Sequence, residues 1–266
     1  MFIEKKIESL RRALWTWKQP LVRNPKCSTS PVSDLFIWRS STEWRTFFEL
    51  IDIPTLFEDL NELGYVTLIF FNACGNQILK KKIELIPYRR LILDISSLIG
   101  REFGEIGTFA VFHSSTPKVV SDLGSFLAER GYVNYCYRDA PLKSYVHGNF
   151  DAIAMIGDEN LQLIGGCSFL PRLYNLQHQI IPGVNYEFGI VNSSQKYQIF
   201  TCKLLSVHSC SILNSETLDV APGGVGIGRI TTDKKESMRL IIESRLVMAR
   251  PLIFRIQNDK LDVFHG

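Results

Sequence analysis

Apolar and polar residues alternate along this chain in short runs separated by turn residues, a period of two that predicts β-strands over most of its length. The runs fall into two series with the same rhythm. One opens with a candidate hairpin, residues 35–39 returning as 46–51; the other opens with 152–156 returning as 161–164. Each continues with an apolar strand that ends in Asn, at Asn72 and Asn192. Each then has a glycine-marked loop, a strand running to Pro117 or Pro251, and a terminal His-Gly, His147-Gly148 or His265-Gly266. A repeat longer than about 50 residues exceeds a solenoid unit. The expected architecture is therefore all-β: two tandem antiparallel β-sandwich domains related by internal duplication, one over 34–150 and one over 151–266.

Individual runs carry more detail. Residues 65–72 have few polar positions, which predicts a strand covered on both faces. Residues 79–85 interleave Lys80, Lys82 and Glu84 with Leu79, Ile83 and Leu85, which predicts one wet face. Asn72-Ala-Cys-Gly75 reads as a turn. The glycines of 222–228 lack the following helix that a phosphate cradle needs, so they read as an inter-strand loop.

Before the first strand the period changes. Ile3, Ile7, Leu10, Leu14 and Trp17 recur at spacings of four and three, one face of a short amphipathic helix that Pro20 ends. Residues 1–33 thus read as a helix and a polar tether. They carry seven Lys/Arg against Glu4 and Glu8, a net +5, which leaves −2 for the rest of a chain whose total is +3. A near-neutral body argues against a broad nucleic-acid surface. The apolar stripe implies burial against the body, a second copy or another protein; Trp15 and Trp17 beside basic residues also suit peripheral contact with an anionic membrane. The six cysteines show no C-x-x-C spacing and the five histidines no ligand spacing, so neither metal nor cofactor is expected. No signal peptide or membrane-spanning run is visible, which points to a reducing cytoplasm and free thiols.

The stretch 65–98 followed by 107–121 has an aromatic-rich strand, a turn with Gly75, a segment 83–87 leading to Arg89-Arg90, and a final strand running into Thr116-Pro-Lys-Val-Val120. Residues 240–251 repeat the end-strand shape. In these features the body resembles the β-sandwich family of microbial sensory rhodopsin transducers, in tandem duplicate. The resemblance implies a non-enzymatic binding protein for a protein or a sugar, and carries no ligand residue over to this chain.

Chemistry-bearing side chains concentrate in 132–151. Tyr135, Tyr137, Arg138, Asp139, Tyr145, His147, Asn149 and Asp151 combine rings that stack on a sugar face with groups that hydrogen-bond its hydroxyls. The plainer reading is an interface with capped turns. An enzyme acting on a glycan or sugar nucleotide is the alternative; it needs His147, Arg138 and Asp151 to converge, or Cys136 to meet His147 as a nucleophile. A non-catalytic binding or scaffold protein is the expected function.

Overall fold

The computed structural model describes residues 23, 25–26, 30–51, 64–87, 89–100, 102–114, 128–129, 131–140, 142–148, 152–157, 159–230, 237–247 and 250–266. The helix expected over residues 3–17, most of its tether, and Asn149 and Asp151 lie outside these. Among the described residues are twenty strands and one short helix. In chain order the first are β1 (Val32–Ser33), β2 (Phe36–Arg39), β3 (Trp44–Ile51), β4 (Tyr65–Asn72), β5 (Gln77–Glu84), β6 (Arg90–Asp94), α1 (Ile95–Ile99), β7 (Ile106–His113), β8 (Ala128–Glu129), β9 (Tyr132–Tyr137) and β10 (Ser144–His147). There follow β11 (Ile153–Ile156), β12 (Asn160–Leu163), β13 (Cys167–Ile180), β14 (Asn185–Val191), β15 (Gln198–Ser206), β16 (Ile212–Val220), β17 (Val225–Ile230), β18 (Met238–Leu246), β19 (Leu252–Gln257) and β20 (Lys260–His265).

The strands pair into five sheets of four: β12-β11-β1-β8, β10-β9-β3-β6, β2-β7-β4-β5, β13-β18-β15-β16 and β17-β14-β19-β20. The all-β expectation holds, but five four-stranded sheets arranged as a five-bladed β-propeller replace the two tandem β-sandwiches expected from the sequence. No blade here is a run of four consecutive strands, so each closes through residues distant in sequence.

The expected duplication fails for a related reason. The strand β4 has β5 and β7 beside it, whereas its supposed counterpart β14 has β17 and β19, with β15 and β16 in another sheet. Alternating apolar residues and Asn/Gly turns recur wherever strands do; they do not encode who pairs with whom. The same gap explains the first hairpin. Strands β2 and β3 lie in different sheets, while the second hairpin forms as read, β11 antiparallel to β12.

Packing follows the local patterns closely. Val66, Leu68 and Phe70 of β4 enter one core with Phe36, Trp38, Phe48, Phe109 and Tyr135; Ile69 and Phe71 enter another with Phe112 and Ile153. The strand is covered on both faces, as its composition predicts. The indole of Trp38, fully buried, donates to the carbonyls of Phe71 (3.0 Å) and Thr108 (3.1 Å), so the largest core side chain leaves no polar group unmet. Leu252, Phe254 and Val263 from β19 and β20 complete the same core, which therefore draws on both halves of the chain.

Polar joints lock the halves together. Arg39 is sandwiched by the Trp44 ring (3.5 Å) and the Phe254 ring (4.9 Å), and pairs with Glu187 at 2.5 Å; Glu187 also receives Arg229 at 3.0 Å. Burial pulls the Arg39 guanidinium down from its ordinary value while Glu187 opposes the shift. The glycine loop of 222–224 docks on the Asn72 turn. Val225 N–H donates to Ala73 (3.1 Å), and the Thr108 hydroxyl donates to Gly223 (2.6 Å). Gly75 sits at φ +74°, and a Cβ there would fall 1.9 Å from the Pro222 oxygen, so no other residue fits. The inter-strand reading holds for 222–224 only; Gly226 and Gly228, expected in the same loop, lie within the strand β17 and pair with β14.

Candidate functional site

The expected site segment folds as the hairpin β9–β10, one edge of the sheet β10-β9-β3-β6. Period-two geometry then divides its side chains between two faces. Val133, Tyr135 and Tyr137 point into the aromatic core; Tyr132, Asn134 and Cys136 point out. Tyr135 is completely buried, donates its hydroxyl to the Ile37 carbonyl at 2.7 Å, and meets Phe254 edge-on at 5.1 Å. Burial drives its phenol far above the ordinary tyrosine value. Tyr137 packs on Trp44 at 4.8 Å. Both belong to the core and face away from the outer surface of the sheet.

Arg138 and Asp139 form the turn between β9 and β10. Arg138, at φ 51°, pairs with Glu43 (2.8 Å) and Asp259 (2.5 Å), and these partners raise its pKa above the ordinary value. Its role is to tie the hairpin tip to the β19–β20 turn. His147 is opposite Tyr132, at the other end of the hairpin, about 20 Å from Arg138 by strand rise. The convergence that the enzymatic alternative requires is therefore missing for this pair, and Asp151 lies outside the described residues. Cys136 is four residues from the position facing His147, about 13 Å away, and burial pushes its thiol up rather than activating it.

What the hairpin does bring together is an outer face. Tyr145 is opposite Asn134, and His147 is opposite Tyr132, so Tyr132 and Tyr145 are diagonal neighbours. They are 56% and 49% exposed. The strand β3 adds Phe47 opposite Asn134 and Glu49 opposite Tyr132. Glu49 is mostly buried and pairs with Arg90 of β6 at 2.7 Å. Partial burial and the Glu49 carboxylate, to which the Tyr145 hydroxyl donates, push the Tyr145 phenol up. The Lys143 ammonium lies over the Phe47 ring at 3.9 Å. Asn134 is fully buried at the centre, and neither its amide oxygen nor its nitrogen has a hydrogen-bond partner. A cleft of about 480 Å³ opens beside Tyr132, with Glu49, Arg90 and His147 among its walls.

At the foot of β10 the two His-Gly pairs meet. The rings of His147 and His265 are 4.9 Å apart, and His265 Nε2–H donates to the His147 carbonyl at 3.0 Å. Gly148 packs so tightly on Asp34 that a Cβ would fall 1.9 Å from a carboxylate oxygen. This contact fixes where His147 enters the cleft.

Of the side chains expected from sequence, the outer face uses Tyr145 and His147. It also uses Tyr132, Asn134, Glu49 and Arg90. Tyr132 and Asn134 were accessible from parity: Val133 must go inward, which sends its neighbours outward. Glu49 and Arg90 reach the site only through strand pairing over more than 40 residues.

Among the described residues no cluster of three or more His, Cys, Asp or Glu could hold a metal, the five described cysteines are all free, and no helix is long and apolar enough to cross a membrane. No family model and no curated protein matches the chain. A solved β-glucuronidase from glycoside hydrolase family 2 is similar at 11% identity over 94% of this chain, with a TM-score of 0.14. The chain spans 27% of that protein, and a likeness at this score carries no argument about fold or activity.

Proposed function

We propose that this chain is a non-catalytic binding protein whose ligand is a saccharide, held on the outer face of the β10-β9-β3-β6 sheet. An all-β body of rigid sheets is compatible with binding or scaffolding. The observation that carries the saccharide reading is the pair of half-exposed tyrosines, diagonal on one face, flanked by the Glu49–Arg90 ion pair. A pyranose presents an apolar C–H face that stacks on a tyrosine ring and a rim of hydroxyls that both donate and accept. Glu49 accepts and Arg90 donates. The 480 Å³ cleft lies within the ordinary range for small-molecule sites.

A glycan microarray with the full chain, followed by calorimetric titration of the best glycan, tests this reading. Tyr132→Ala is expected to weaken binding about tenfold, the worth of one stacked ring. No glycan bound, or undiminished binding by Tyr132→Ala, removes it.

Assembly rests on a different feature. The stripe Ile3, Ile7, Leu10, Leu14 and Trp17 is too short to be stable as an isolated helix, and self-association through it is the arrangement that best explains its amphipathic pattern. Light scattering on the chain with and without residues 1–33 decides: a mass that does not fall on deletion excludes it. Liposome binding that vanishes with the same deletion supports membrane contact instead.

A further inference from the structure

We infer that the apolar stripe Ile3, Ile7, Leu10, Leu14 and Trp17 of one chain docks on the outer face of the sheet β13-β18-β15-β16 of a second copy, against Phe169, Leu173, Tyr197 and Ile199. The inference rests on self-association through that stripe and adds the surface that receives it. The face follows from strand parity. In β13, Tyr174 and Leu176 turn toward the core, and in β15 so do Phe200, Cys202 and Leu204. Their neighbours of opposite parity point out, and Phe169, Leu173, Tyr197 and Ile199 are 60% to 82% exposed. The strand β18 lies between β13 and β15 and brings the two sets together. Leu173 is opposite Glu243, Glu243 is opposite Thr201, and Ile199 is two residues from Thr201. Strand spacing then puts Leu173 and Ile199 about 12 Å apart.

Single exposed apolar side chains are ordinary, but four on one sheet face mark a docking surface. The charges among them are mixed: Lys203 pairs with Glu243 at 2.8 Å, Asp219 is opposite Ile199, and Arg245 is exposed on β18. Area rather than charge therefore drives the contact. The partner uses the face and not the edge, because Pro171 offers β13 no N–H and the register shifts between Cys167 and Arg172, two devices that block strand addition. The position of the arm points to the stripe as the occupant. The described chain begins at Arg23, whose N–H donates to the Ile164 carbonyl at 2.7 Å. Ile164 is five residues before Phe169, at most about 17 Å away. As a helix the stripe is about 21 Å long, enough to cover Phe169, Leu173 and Ile199. Two copies that meet at these roots exchange stripes across a two-fold axis, and both faces are covered in a closed dimer.

Light scattering of the full chain over a concentration series is the test, and the native chain is expected to dimerise. Phe169→Asp with Leu173→Asp should weaken dimerisation at least about tenfold, and Leu10→Asp with Leu14→Asp should do the same, each pair removing the burial of two large side chains. Leu142→Asp, at a site 78% exposed between β9 and β10, should leave the mass unchanged. Mixing the two double variants restores one intact stripe-to-face contact, so mixed dimers should return at higher protein concentration; their return also shows that both variants fold. A face variant that dimerises like the native chain while the stripe variant does not overturns the inference and leaves self-association standing. A mixture that stays monomeric overturns it too. A native chain that is monomeric removes both readings, whether its stripe then lies on its own body or binds liposomes.

Discussion

The two faces of the β10-β9-β3-β6 sheet are built from the same residue types and do different work. On the inner face Tyr135 and Tyr137 are enclosed by Trp44 and Phe254, with the Tyr135 hydroxyl spent on the Ile37 carbonyl. On the outer face Tyr132 and Tyr145 keep about half their surface, and their surroundings are Glu49, Arg90, Asn134 and Lys143. Three residues along β9, an odd number, separate the core Tyr135 from the outward-facing Tyr132. A tyrosine-rich segment is thus informative about function only after parity has been assigned, and parity is set by the aliphatic residue in register with it, here Val133.

Substitutions sharpen this contrast. Tyr135→Ala should destabilise the protein by about 4 kcal/mol, since it removes a fully buried ring and leaves a cavity under Phe254. Tyr132→Ala, three residues earlier, should change stability by less than about 0.5 kcal/mol. Urea unfolding of the two variants checks both, and a Tyr132 variant as unstable as the Tyr135 one breaks the inner–outer distinction.

Arg39 extends the inner face to the second half of the chain. Arg39→Ala is expected to cost about 3 kcal/mol, toward the low end for a broken buried pair, because Glu187 keeps Arg229. The chemical-denaturation midpoint should fall accordingly, and a change below about 1 kcal/mol would mean that the joint contributes little.

Histidine obeys the same inside–outside rule. His113 is 3% exposed, and burial lowers its pKa from 6.5 to about 4. Between these values the unfolded chain binds the proton and the folded chain does not, so stability rises with pH across that window. The contribution is fully present above pH 6.5 and lost as pH falls toward 4, up to ~3 kcal/mol. His113→Gln should flatten the stability–pH curve between 4 and 6.5; an unaltered slope contradicts the assignment.

How much of this was legible beforehand depends on the reach of each signal. Local periodicity reached the double burial of β4, the wet face of β5, the β11–β12 hairpin and the first part of the glycine loop, because each is decided within ten or so residues; it placed Gly226 and Gly228 in the loop, where they belong to β17. It did not reach the sheet assignments of β2 and β3, nor the blade count, because pairing partners are chosen by packing across the whole chain. The candidate residues divide the same way. Tyr145 and His147 lie on the outer face, whereas Tyr135 and Tyr137 are turned into the core, because composition ignores parity. Arg138 is held by Glu43 and Asp259, which come from strand ends far away in sequence. Glu49 and Arg90 carried no local signal at all.

The most direct test of the binding face follows tyrosine ring resonances in protein labelled with ¹³C at tyrosine, during titration with the glycan selected on the array. Signals of Tyr132 and Tyr145 should shift progressively and saturate together, while those of Tyr135 and Tyr137 stay fixed. Shifts confined to Tyr135 and Tyr137, or spread equally over all four, would contradict a saccharide site on the outer face of this sheet.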